Sequence, residues 1–401
     1  MDAIVDPKDF PASQKCTYLN AANVALMYQG AEKAIIEWQK DLAENGSINF
    51  DETAEATVFG GLHSAAARLL NAQPEDIAVG SSATELISSL AWAVAPEFGT
   101  SVVSTDIVFP STLYPWLRVA RHTNCEIRLA KGQNGYANPD DVIQLIDNRT
   151  AVVCVSHVEY GGGQRYDLLK MADVAHEHDA LLVVDATQSA GAIPIDAPAC
   201  GVDALVSGGY KWLCGPFGAA VMYLAPHLQN ELDPGLVGFR SHKDMWDLQA
   251  DRLELPTTAQ RFEYSTMAYG CAIGLARSIE YLVDISVVRI FSYNKHLANL
   301  LIEGLEKRNV EIISWKLSRL VMIQSRPPLW LHGFRERIRR KWLENLRRLK
   351  LWFHGERILS GFLPTFTTSQ LIFNKLWTEL TKFYNSTMFY SFVSSTDDTY
   401  I

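Results

Sequence analysis

Between residues 72 and 224 the chain repeats one unit: a short, β-branched apolar run that ends in a polar residue or glycine, followed by a stretch with helical spacing. Runs this short and this continuously apolar suit strands covered on both faces, and the intervening helices suit crossovers between parallel neighbours. Residues 101–104, 126–130, 151–155, 180–185, 204–207 and 219–224 are therefore read as strands. Between them, residues 168–179 are read as a helix with Leu168, Leu169, Met171, Ala172 and Val174 on one face. The pattern predicts an α/β fold, a mostly parallel sheet covered by helices on both sides. Ligands of such sheets gather beyond the carboxyl ends of the strands.

Length and charge narrow the class further. A chain of 401 residues with 48% hydrophobic content exceeds one ordinary domain, which predicts two. A net charge of -9 argues against nucleic acid as the main partner, since phosphate binding is driven by clustered Lys and Arg. Cys16, Cys125, Cys154, Cys200, Cys214 and Cys271 form no CxxC pair and read as reduced core residues, not as a disulfide frame or a metal site. No apolar run approaches a membrane span and the first residues lack a signal-peptide pattern, so a cytoplasmic location is expected.

Three strand ends carry reactive side chains. Lys211 lies in Ser207-Gly208-Gly209-Tyr210-Lys211-Trp212-Leu213-Cys214-Gly215-Pro216-Phe217-Gly218, a glycine-rich turn where backbone can approach a ligand. Alone it would read as a solvated surface lysine; in an apolar turn its amine could be desolvated and nucleophilic. Asp185 closes Leu181-Leu182-Val183-Val184, and a carboxylate there needs a cationic partner unless it caps a following helix. His157 and Gln188 occupy neighbouring turns, although a lone histidine after a strand is more often a structural hydrogen-bonder. Gly80-Ser81-Ser82-Ala83-Thr84-Glu85-Leu86 introduces a helical stretch over 86–94 and offers N–H groups to an anion, or simply a capped helix. Gly161-Gly162-Gly163-Gln164-Arg165-Tyr166 lacks the third glycine of a dinucleotide loop, and no GxxxxGK[ST] occurs. An amine, a buried carboxylate and an anion cradle together meet the demands of pyridoxal 5'-phosphate (PLP): an imine tether, a protonated ring nitrogen and a held phosphate.

The block Asp185-Ala186-Thr187-Gln188-Ser189, followed at a distance by Ser207-Gly208-Gly209-Tyr210-Lys211-Trp212-Leu213 and Gly215-Pro216-Phe217-Gly218, resembles the class V aminotransferase family, which includes cysteine desulfurases, selenocysteine lyases and isopenicillin N epimerase-like proteins. The likeness runs from about residue 18 to about 310. It implies the PLP-dependent fold type I, with an N-terminal segment (1–20), a large cofactor-binding domain (21–265) and a smaller C-terminal domain (266–401). By resemblance, Lys211 is the Schiff-base lysine, Asp185 the ring-nitrogen partner and Gln188 the donor to the phenolic oxygen. Ala83 and Thr84 join the phosphate cradle, Ser207 and Tyr210 complete the cofactor set, and Phe109 stacks on the ring. Thr266 would reach the partner subunit's phosphate, which implies a homodimer with shared sites.

The expected function is that of an enzyme, transferase or lyase, which joins an amino acid to PLP as an external aldimine, breaks a bond at its α-carbon and stabilises the product as a quinonoid. The rival is a catalytically impaired or non-enzymatic relative with a basic interaction tail. Family desulfurases carry a mobile-loop cysteine in their C-terminal third, whereas the last cysteine here is Cys271, which disfavours a persulfide relay. The family's substrate-carboxylate arginine is met only by Arg357, offset from the expected slot. Residues 315–357 hold twelve Lys or Arg against three Asp or Glu. That stretch reads as an amphipathic basic helix, a divergent small domain, or a translated intron or shifted frame; the last is favoured because family-like scraps such as Gly355-Glu356-Arg357-Ile358 persist.

Overall fold

A computed structural model describes residues 3–133 and 135–307. Arg357, the basic stretch and all of the expected C-terminal domain beyond residue 307 lie outside the described residues. Seven strands form one sheet: β1 (Ile77–Gly80), β2 (Ser101–Thr105), β3 (Glu126–Ala130), β4 (Thr150–Ser156), β5 (Leu181–Asp185), β6 (Ala204–Gly208) and β7 (Ala220–Leu224). Nine α-helices surround them among the described residues: α1 (Gln29–Asn45), α2 (Glu52–Thr57), α3 (Gly60–Leu70), α4 (Ala83–Val94), α5 (Pro110–Thr123), α6 (Pro139–Ile143), α7 (Leu168–His176), α8 (Tyr269–Ile285) and α9 (Val287–Glu306).

The spatial order is β1-β7-β6-β5-β4-β2-β3, parallel throughout except that β7 runs antiparallel to both neighbours. All six expected strands are present within a residue or so of their expected limits. β1 was not expected, because four residues give no periodicity to read. The reversal of β7 also departs from the repeating parallel unit. Its connection from β6 is the short glycine-rich turn around Lys211, too short for a crossover helix.

Alternation along the strands sorts the core into two layers. Val153, Val155, Leu182, Val184, Leu205 and Val221 pack with α3, α7 and α8. Val152, Cys154, Val183, Val206 and Met222 pack with α4 and α5 on the other side. On α7 the buried set is Leu168, Met171, Ala172 and Ala175, whereas Leu169 is 51% exposed. The face follows the i, i+3, i+4, i+7 stripe, which places Leu169 about 100° away and admits Ala175. Three of the six cysteines, Cys16, Cys200 and Cys271, are only partly buried, so the core reading holds for Cys125, Cys154 and Cys214 alone; all six are free thiols. No helix among the described residues is long and apolar enough to cross a membrane.

Candidate functional site

The parallel sheet aligns the carboxyl ends of β2, β4, β5 and β6, so the turns leaving these strands meet at one edge. Asp185 ends β5 opposite Ser156 of β4 and is 6% exposed. Its Oδ2 accepts from the Thr112 hydroxyl at 2.8 Å and its Oδ1 from the Thr187 N–H at 2.9 Å. The chain then enters turns, not a helix, so Asp185 is not a helix cap. Thr112, in the first turn of α5, was missed because a hydroxyl there reads as local capping.

Lys211 sits in the turn between β6 and β7 and is 7% exposed. The turn is tight: the Gly209 N–H donates to the Ala219 carbonyl at 3.0 Å, and a Cβ on Gly209 would lie 3.0 Å from that same oxygen. The Lys211 Nζ lies 5.4 Å from the centre of the Phe109 ring and 5.9 Å from that of Tyr210. Burial lowers the pKa of this amine, and the Asp185 carboxylate opposes that shift. Phe109 is braced edge-on by Tyr160 at 5.1 Å, and Tyr210 is stacked on Phe217 at 4.5 Å. From the N-terminal segment, the Ala25 N–H donates to the Tyr210 carbonyl at 3.0 Å.

The helix after β1 begins at Ala83, earlier than its apolar spacing indicates, so Ala83 and Thr84 occupy its first turn, where amides have no intrahelical acceptor. Ser82 caps it by accepting from the Glu85 N–H at 3.1 Å, and the Thr84 hydroxyl donates to Ser111 Oγ at 2.9 Å. Ser207 is buried on β6. Gln188 is clamped at both ends, donating from Nε2 to the Ala22 carbonyl at 2.8 Å and accepting from the Trp212 indole at 2.9 Å. Trp212 escaped notice as one aromatic among many.

His157 follows β4, and its N–H donates to the Asp185 carbonyl at 2.9 Å. Its buried Nδ1 has no hydrogen-bond partner. Burial first, then Arg165, lowers its pKa to about 4, so the ring is neutral near pH 7. An unfolded histidine takes a proton near its ordinary 6.5, so the unfolded chain binds more protons between these values. Stability present above pH 6.5 is therefore lost as the pH falls through about 4. Replacing His157 with Gln should flatten this acid limb by up to about 3 kcal/mol, read from denaturant unfolding at pH 7 and pH 4.5. Parallel pH profiles for the two proteins would contradict it. Thr266 is exposed and hydrogen-bonded to Tyr269, and the cap position of α8 belongs to Ala268. Arg357 lies outside the described residues.

Comparison with known proteins identifies the family and the fold. The family model described as Aminotransferase class-V matches residues 18–319. A probable cysteine desulfurase of Methanothermobacter thermautotrophicus is 29% identical over 71% of this chain and 70% of its own length. The uncharacterized aminotransferase YcbU of Bacillus subtilis is 28% identical over 71% of this chain and 74% of its own. Among solved structures, a C-DES variant with glycine covalently linked to its PLP cofactor has a TM-score of 0.78 at 20% identity, covering 94% of this chain and 99% of that one. The cysteine desulfurase CsdA of Escherichia coli has a TM-score of 0.67 at 25% identity, over 76% of this chain and 78% of its own. Since the family match spans most of the sequence and the lysine and aspartate stand at neighbouring strand ends of the shared fold, the chain belongs to the class-V aminotransferase family, whose enzymes use PLP.

Proposed function

We propose that this chain is an amino-acid-transforming PLP enzyme in which Lys211 carries the cofactor. The observation that supports it most is a buried amine with a lowered pKa, enclosed by aromatic rings and within the field of the buried Asp185. The bound cofactor supplies an electron sink for the bond broken at the substrate's α-carbon. Everything else falls to the chain's own residues.

Lys211 tethers the cofactor and, when released, carries the proton to or from the substrate, a task its lowered pKa suits. Asp185, oriented by Thr112 and Thr187, holds the proton on the ring nitrogen. Phe109 walls the ring. The first-turn amides of Ala83 and Thr84, with the Thr84, Ser207 and Tyr210 hydroxyls, receive the phosphate at the positive end of α4. Gln188 keeps a second Nε2 hydrogen for the phenolic oxygen beyond the one given to Ala22. Neutral His157 has an unpaired nitrogen to offer as donor or acceptor.

Lyase, transaminase and epimerase chemistry share this first cleavage. Screening amino acids for keto acid, sulfide and racemised product tells them apart. Cofactor binding with no turnover of any amino acid would instead support the impaired-relative reading, and absence of a visible band on adding PLP would end the cofactor assignment. Six free thiols fit a reducing compartment such as the cytoplasm.

The active unit in this reading is a homodimer, with the exposed Thr266 reaching the partner's phosphate. Losing one hydrogen bond to a charged phosphate costs about 1.5–3 kcal/mol, roughly ten- to a hundredfold in affinity. Thr266→Ala should weaken PLP retention by that factor, and PLP should stabilise the wild-type dimer by mass action. Sedimentation with and without PLP checks both. A monomeric wild-type holoenzyme, or unchanged affinity in the variant, would remove the support for a shared site.

A further inference from the structure

The turn leaving β4 carries a second buried carboxyl beside Asp185. Glu159 is 1% exposed. Its N–H donates to the Gln164 carbonyl at 2.8 Å and its carbonyl accepts from the Gly163 N–H at 2.9 Å, a closure reinforced by the bridge between Val158 and Arg165. The backbone at Glu159 is thus held in place, and its side chain is buried. Its Oε1 accepts from the Thr105 hydroxyl of β2 at 3.4 Å, a long contact, and its Oε2 is buried without a well-aligned partner. The groups acting on it are Asp185 from β5, Thr105 from β2 and Ser156 from β4. Glu159 acts in turn on the buried Tyr166, whose hydroxyl also lacks a well-aligned partner. None of the groups acting on Glu159 among the described residues is a cation.

Two buried carboxyls that repel each other cannot both ionise without a large penalty, so one of them holds a proton. The geometry says which. Asp185 accepts from two well-aligned donors at 2.8 and 2.9 Å and feels the Lys211 amine, whereas Glu159 has one long contact with Thr105 and a weak pull from Ser156. We propose that Glu159 is a positioning residue that holds a proton as a neutral acid, confining the single negative charge of the pair to Asp185, where the cofactor's ring nitrogen needs it. This last clause rests on the proposed role of Asp185. Burial, and then the Asp185 charge, raise the Glu159 pKa to about 8, with the Thr105 and Ser156 hydroxyls pulling more weakly the other way. Above that pH Glu159 ionises and adds a second negative charge to the ring-nitrogen side of the site.

The apoprotein tests the proton directly. An unfolded glutamate loses its proton near 4.5 and folded Glu159 only near 8, so the folded state binds more protons between these values. The stabilisation is full below pH 4.5 and lost as the pH rises through 8. The wild-type Tm should therefore fall relative to that of Glu159→Gln between pH 5 and 8, then run parallel to it; curves parallel throughout overturn the proposal. Should the variant not fold, infrared spectra of the wild type decide: a buried protonated carboxyl that bleaches near pH 8 is expected, and its absence overturns the idea. In the PLP-loaded protein, the pH midpoint of the visible band should move by at least one unit in Glu159→Gln, a tenfold change in proton affinity. A band with an unmoved midpoint overturns the coupling to the cofactor. No band at all sinks the cofactor assignment itself, leaving the apoprotein result to judge Glu159 independently.

Discussion

Replacing Lys211 with Ala is expected to remove the visible band formed with PLP and to lower turnover of any accepted amino acid by at least about a thousandfold. Proton transfer by a positioned side chain alone contributes about 10²–10⁴ in rate, and the tether is lost with it. The fold should survive, because the substitution removes an amine that burial already disfavours as a cation, and Thr112 and Thr187 still orient Asp185. Comparing absorption spectra and unfolding curves of the two proteins separates lost chemistry from lost structure. A wild-type-like band in the folded variant would end the assignment of Lys211.

Asp185→Asn carries the second large effect. The amide keeps an oxygen for one donor but cannot compensate a cationic ring, and breaking a buried charged pair costs about 3–5 kcal/mol. That converts to roughly a hundred- to several-thousandfold in kcat/KM. PLP should still form its visible band through Lys211, so the loss should fall on kcat more than on cofactor retention. Turnover within about threefold of wild type would show that the ring nitrogen is not partnered by Asp185.

Much of this site was legible because parallel strands advertise their own ends. An apolar run that stops at Asp185, and another that runs into a glycine turn at Lys211, mark the sheet edge without knowledge of its order. Direction was not legible in the same way: β7 is as apolar and as buried as the parallel strand β6, and only the shortness of the preceding turn betrays its reversal. Thr112 and Glu159 were hidden for a different reason. Each acts across strands, on Asp185 or beside it, and nothing local in a Thr of a first helical turn or a Glu after a strand reveals that distant contact. Leu169 shows the limit of counting apolar residues when two adjacent leucines compete for one stripe.

The pairing of β1 with β7 bears on how the chain acquires its shape. Ile77 meets Tyr223 and Gly80 meets Ala220, so β1, which leads into α4, joins the sheet only after nearly the whole of it has been synthesised. Contacts so remote along the chain are slow to form, because loop closure precedes any reward from them. During translation the apolar Ile77–Gly80 edge has to wait, exposed, for a strand that arrives last. The first turn of α4 at Ala83 and Thr84, proposed above to hold the phosphate, and the lysine turn just before β7 are consequently brought together in the same late event, so refolding in the presence of PLP should be sensitive to that single closing step.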